Sequence, residues 1–137
     1  MRRSLFAAAT MLALAFGMAM GQEKPLDYTV KKGIAAWSTD GHTIGSAWPA
    51  IFKTLALMGY KAKMSDRDGG ILEAIYDSAG ASLMNLEEKD MSAVSIIAAE
   101  AAGALKLTVK WKWGVGSPAN AKKFYQKFFA ILAENLQ

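Results

Sequence analysis

The chain has 137 residues, a formal net charge of +4, a single histidine and no cysteine. The missing cysteine excludes disulfides, thiol nucleophiles, thiolate metal sites and the lipid-bearing thiol of a bacterial lipoprotein. The modest positive charge is of the size that keeps a domain soluble, and it excludes the strongly basic signature of a nucleic-acid binder.

The chain opens on Met1-Arg2-Arg3-Ser4, followed by an apolar run from Leu5 to Phe16 and small residues at alternate positions, Ala19 and Gly21. A basic start, an apolar middle and small residues at the cut predict a cleavable secretory signal over residues 1–21. A cut after Ala19 is the second choice. The apolar run falls short of the roughly 20 residues a membrane span needs. An uncleaved anchor is the alternative. The expected product is periplasmic or secreted, with no stable membrane span once the signal is removed. Loss of Arg2 and Arg3 lowers the formal charge from +4 to +2. The remaining stretch, about 116 residues, is long enough to bury roughly two-thirds of its unfolded surface without disulfides. A polar leader over 22–27 and one domain over 28–137 are expected.

Tyr28 to Trp37 reads as a first strand, with Lys31-Lys32-Gly33 interrupting the alternation as a bulge. Thr39-Asp40-Gly41-His42 is a turn cluster. A helix is expected next. Ser46 is its best N-cap, because that start leaves Pro49 in the first turn, where a missing N–H costs little. Trp48, Ile51, Phe52 and Leu55 form its apolar face, and Gly59 stands at its C-terminal cap. Two strands follow, Tyr60 to Met64 and Ile71 to Tyr76, joined through Asp68-Gly69 as a hairpin turn.

Ala79 to Met91 suits either a short strand or a helical turn, and Asn85 to Asp90 looks solvated. Val94 to Glu100 carries Ile96 and Ile97 among alanines that would equally suit a helix. It is read as a strand because Ala101-Ala102-Gly103 makes a short turn into the clearest strand of the chain. In that strand Leu105, Leu107, Val109, Trp111 and Trp113 fall on one face, and Lys106, Thr108, Lys110 and Lys112 on the other. Such alternation means one buried face and one wet face. Ser117-Pro118 then opens a last helix, with Ala121, Phe124, Tyr125, Phe128, Ile131 and Leu132 as its buried face. Phe129 lies off that stripe and marks a candidate exposed contact. Helices placed before and after a run of antiparallel strands should pack on one face of a single sheet, an α+β fold.

Leu57-Met58-Gly59-Tyr60-Lys61, then Asp66-Arg67-Asp68-Gly69-Gly70-Ile71-Leu72-Glu73-Ala74, resembles a class of small exported bacterial domains. The stretch from Leu105 through Gly114 to Leu132 is similar to the same class. The class includes the repeated modules of the outer-membrane assembly lipoprotein BamC and several uncharacterised lipoprotein families. The resemblance covers Ile34 to Leu132. It implies a helix-grip or TBP-like fold, β-α-β-β-β-β-α, and an envelope accessory or binding module. It supplies no catalytic residues. The chain departs from the lipoprotein members in lacking the lipidated cysteine, which favours a soluble exported product.

No catalytic constellation stands out. His42 has Asp40, Ser38 and Ser46 nearby in sequence, but the chain lacks a nucleophile elbow. Asp66, Asp68 and Glu73 faintly suggest a calcium loop, yet the fifth position is Gly70 and the sixth Ile71, so the spacing fails and a hairpin turn explains them better. Arg67 is read as a solubilising residue at the hairpin tip. Glu87, Glu88 and Asp90 read as a solvated loop rather than a pair of catalytic carboxylates. Gly114-Val115-Gly116-Ser117 lacks the lysine and spacing of a phosphate loop. No enzyme activity, metal or cofactor is expected.

The lysines are the candidate binding face. Lys106, Lys110 and Lys112 line one side of the long strand, and Lys61 and Lys63 project from another strand that could join them. Such a face suits an envelope protein or anionic lipid, and not nucleic acid. The competing explanation is that outward lysines discourage sheets from associating. A carrier of a small apolar ligand between sheet and helices is the alternative function.

Overall fold

A computed structural model describes residues 26–76, 87, 90–114 and 120–137. The expected signal over 1–21, leader residues 22–25, the ambiguous stretch 79–86, Glu88, and the Ser117-Pro118 helix start lie outside the described residues.

Strands form where apolar residues alternate with polar ones, and helices where they recur three and four apart. The order is β1 (Thr29–Lys31), β2 (Ile34–Thr39), α1 (Ile44–Leu57), β3 (Tyr60–Asp66), β4 (Ile71–Tyr76), β5 (Ala93–Ala101), β6 (Ala104–Lys112) and α2 (Ala121–Asn135). The strands make one sheet in the order β1-β2-β6-β5-β4-β3, each pair antiparallel. β2 and β3 therefore run parallel, and α1 carries the chain from the second strand across to the far edge.

Both helices lie on one face, which makes the protein α+β as expected. Trp48, Ile51 and Leu55 of α1 and Phe124, Tyr125, Phe128, Phe129 and Leu132 of α2 are buried. They meet Trp37, Leu72, Val94, Ile96, Leu105, Leu107 and Val109 from the sheet in a single core. Each such side chain contributes about 1.5–3 kcal/mol on burial. The two helices also touch each other. Asn135 Nδ2 donates to Thr54 Oγ1 at 3.0 Å, and that hydroxyl donates to the Ala50 carbonyl at 2.7 Å. The buried Thr54 is thereby satisfied.

Several local expectations are corrected. The interruption at Lys31-Lys32-Gly33 is a hairpin turn, not a bulge: Lys32 (φ 55°) and Gly33 (φ 78°) both turn left-handed, so β1 folds back on β2. The Asp68-Gly69 turn is a four-residue loop, with the positive φ at Gly70 instead and Gly70 N–H bonded to the Arg67 carbonyl at 3.1 Å. A bulge does occur, but in β3 between Ala62 and Met64.

α1 starts earlier than expected, capped by Thr43, and Ser46 completes a capping box from the third helical position. Pro49 consequently lies inside the helix. A proline there removes the hydrogen bond to the carbonyl four residues back, which is that of Gly45. Arg67 supplies the missing donor, its Nη2 standing 3.2 Å from that oxygen. Arg67 is thus a partner of the helix and not only a solubilising tip. The Ile44 N–H donates to Glu100 Oε2 at 2.7 Å, which places a carboxylate at the positive end of α1.

α2 is capped by Asn120, whose Oδ1 accepts from the Lys123 N–H at 2.9 Å. Phe129 is not exposed: it is 1% accessible and stacks on Tyr28, centroids 4.4 Å apart. Trp113, expected on the buried face, is 61% exposed. β6 ends at Lys112, and the next glycine, Gly114, is pressed so closely on the Met91–Ser92 backbone that a Cβ would collide with it. Pairing with β5 stops at Lys112, so Trp113 stands outside the ladder.

Candidate functional site

Successive side chains of a strand point to opposite faces. With Leu105, Leu107 and Val109 buried inward, Lys106, Thr108, Lys110 and Lys112 must point to the face that neither helix covers. The same logic places Ile34 and Ala36 of β2, Ser95 and Ile97 of β5, and Ile71, Glu73 and Ile75 of β4 on that open face. The ladder register then arranges them in rows across the strands.

The central row runs Ala36, Thr108, Ile97, Ile71 over four adjacent strands. At about 4.8 Å between strands it spans about 14 Å. Ile97 is 52% and Ile71 38% exposed. On one side, about 7 Å along the strands, lies the row Ser38, Lys106, Ala99. On the other lies Lys31, Ile34, Lys110, Ser95, Glu73 and Met64. A further row holds Lys112, Ala93, Ile75 and Lys61. The open face therefore carries a strip in which Ala36, Ile97 and Ile71 are interrupted by Thr108 and bounded by Asp66, with lysines beside it.

All five lysines singled out in the sequence are exposed. Lys106, Lys110 and Lys112 stand together on β6, while Lys61 and Lys63 belong to β3, with β5 and β4 between. The bulge brings Lys63 beside Met64, opposite Glu73. Lys63 and Lys112 nevertheless line one shallow concavity of about 460 Å³, together with Glu73, Ile75, Glu87 and Ser95. The basic face thus includes carboxylates: Glu73 within it, Glu87 in the same concavity, Asp66 on the edge strand, and Asp27 in a second concavity with Ala36, Ser38 and Lys106.

Sequence reasoning missed Lys31 and the aliphatic strip. The signal for the strip was present in Ile96-Ile97: two adjacent isoleucines on a strand cannot both face inward. Ile71 and Ile75 likewise alternate with the buried Leu72 and Ala74.

The remaining candidates have local structural roles. His42 Nδ1 lies 3.3 Å from Ser46 Oγ, but that hydroxyl also accepts from the Thr43 N–H at 2.9 Å as part of the helix cap. Asp66 Oδ1 accepts from the Gly69 N–H at 3.1 Å and so shapes the β3–β4 loop. Among the described residues no three His, Cys, Asp or Glu side chains converge to hold a metal ion, and no helix is long and apolar enough to cross a membrane.

Beneath the sheet, two tyrosines fix the end of β6. Tyr60 Oη lies 2.8 Å from Ser92 Oγ and accepts from Trp111 Nε1 at 2.9 Å. Burial raises its hydroxyl above the ordinary value, against the opposing pull of the bonds to Ser92 and Trp111. Burial raises the Tyr125 hydroxyl in the same way. These groups hold the scaffold under the open face rather than line it. The chain matches neither a model of a known protein family nor a curated protein.

Proposed function

We propose that the chain is an exported, non-enzymatic accessory module of the bacterial cell envelope that docks a protein or lipid partner through its open sheet face. One observation carries this reading. Ala36, Thr108, Ile97 and Ile71 form an in-register, solvent-facing strip with Lys106 on one flank and Lys31 and Lys110 on the other. Lysines alone would serve to keep sheets apart. Exposed isoleucines beside them oppose that purpose, and an apolar patch rimmed by charge is the usual composition of an interaction surface. The layer between sheet and helices is filled by Trp37, Phe124, Tyr125, Phe128 and Phe129, which favours docking over carriage of a small apolar ligand. An envelope setting agrees with the resemblance to exported envelope modules.

Photo-crosslinking in cells tests the reading. A crosslinker at Ile97 should capture a partner that one at Gln126, on the far side of α2, does not. The capture should fall in the Lys106→Glu, Lys110→Glu, Lys112→Glu variant. Equal crosslinking from both positions, or no effect of the triple variant, overturns it. Export is tested by cell fractionation, which should find a processed chain lacking residues 1–21 in the periplasm or medium; an unprocessed cytoplasmic chain would refute it.

A further inference from the structure

We infer that the occupant of the open face is an anionic lipid surface, an inference that rests on the docking role proposed above. Three features point to lipid rather than to a folded protein partner.

The first is chemical order. Ile97 on the central β5 and Ile71 beside it on β4 stand exposed on the face, with Asp66 next to Ile71 on the edge strand and Met64, 42% exposed, in the next row. Lys31, Lys106 and Lys110 stand about 7 Å to either side of the strip. A bilayer boundary has the same order in depth, acyl chains beneath phosphates. Lysine stems are long enough to lie along apolar surface while their ammonium groups reach the phosphate level.

The second is shape. Around the isoleucines the face carries short side chains, Ala36, Ser38, Ser95 and Ala99, and its concavities are shallow. Among the described residues it offers no deep socket for the aromatic or arginine anchor that commonly dominates protein–protein contacts. A broad, shallow surface with protruding aliphatic tips suits a fluid planar partner.

The third is charge. Lys31, Lys61, Lys63, Lys106, Lys110 and Lys112 share the face with Glu73 and Asp66. Glu73 lies in the concavity that Lys63 and Lys112 also line, and Asp66 sits on the edge strand. Glu87 lines that same concavity, and Asp27 lines another with Ala36, Ser38 and Lys106. The six lysines still outnumber these four carboxylates, and basic groups at an anionic leaflet each contribute about 1 kcal/mol, about fivefold in affinity.

The chain contains no cysteine, so Ile97→Cys on the mature protein creates one labelling site for an environment-sensitive fluorophore. Vesicles of phosphatidylglycerol in phosphatidylcholine should brighten and blue-shift this label, and vesicles of phosphatidylcholine alone should not. The same label at Gln126→Cys should not respond. Changing Lys31, Lys106 and Lys110 together to Gln should weaken vesicle binding roughly 100-fold, with the circular dichroism and thermal melt unchanged. If the triple variant unfolds, Lys106→Gln and Lys110→Gln separately should each cost about fivefold. Equal response at both labelled positions, or no response to anionic vesicles, overturns the lipid inference. If vesicles fail while in-cell crosslinks from Ile97 to a protein persist, the docking role stands with a protein occupant. If both fail, the docking role falls too.

Discussion

The hydroxyl of Tyr125 accepts a hydrogen bond from the Trp111 N–H at 2.9 Å and passes one on to the Gly33 carbonyl at 2.7 Å. The last ladder pair between β2 and β6 is Ile34 with Lys110. The next pair would be Gly33 with Trp111, and the tyrosine of α2 occupies that place. A helix side chain thereby extends the ladder by one rung and pins α2 to two strands at once. Tyr125→Phe keeps the ring and orphans both backbone groups. Urea unfolding should show a loss of about 1–3 kcal/mol; an unchanged midpoint would mean the rung carries no stability.

Alkaline pH should weaken the fold through the same region. Burial raises the Tyr60 and Tyr125 hydroxyls above the ordinary tyrosine value of 10.0. The folded state then holds these protons more tightly than the unfolded chain does. Their contribution is fully present below 10.0 and is lost as pH rises through the raised folded values. Thermal melts taken upward from neutral pH should stay level with respect to these groups, then fall. In the Tyr60→Phe, Tyr125→Phe double variant the alkaline fall should be shallower than in the parent, and an equally steep fall would contradict the assignment.

Arg67 and Pro49 should be energetically coupled through the Gly45 carbonyl. Arg67→Ala leaves that oxygen without its side-chain donor and should cost about 0.5–1 kcal/mol, since the bond is exposed. Pro49→Ala restores the helical N–H, so in that background Arg67→Ala should cost less. A double-mutant cycle on denaturation midpoints measures the difference; additive effects would show that the arginine does not compensate for the proline.

Phe129 and Trp113 should behave oppositely to what their sequence positions suggest. Phe129→Ala removes a ring that is 1% exposed and should cost about 3–5 kcal/mol. Trp113→Ala alters a solvent-facing side chain and should stay within about 0.5 kcal/mol. Comparable losses at the two positions would put Trp113 back in the core.

These contrasts show which parts of the architecture were legible in the residues and which were not. The alternation in Leu105 to Val109 announced a half-buried strand, and the helical spacing of Trp48, Ile51 and Leu55 announced the inner face of α1. Both signals are local, and both held. Pro49 misled because its compensation comes from Arg67, a residue near in space and 22 positions away from Gly45 in sequence. Phe129 misled because a helix between a sheet and a neighbouring segment buries more than one stripe, here against Tyr28. The lysines of the open face were visible as charges. The aliphatic strip between them emerged only when the register set Ile97 opposite Ile71 and Thr108, a pairing no single strand reveals.

The irregularity between Ala62 and Met64 has a consequence for how molecules of this protein meet one another. β3 is the long outermost strand, and its main-chain groups would otherwise invite a second copy to lie alongside and continue the sheet. A kink in mid-strand interrupts that template, and the opposite margin, β1, is only three residues long. Lateral growth into fibrils is thus disfavoured at one border by distortion and at the other by brevity, which would leave the broad plane for the docking proposed above.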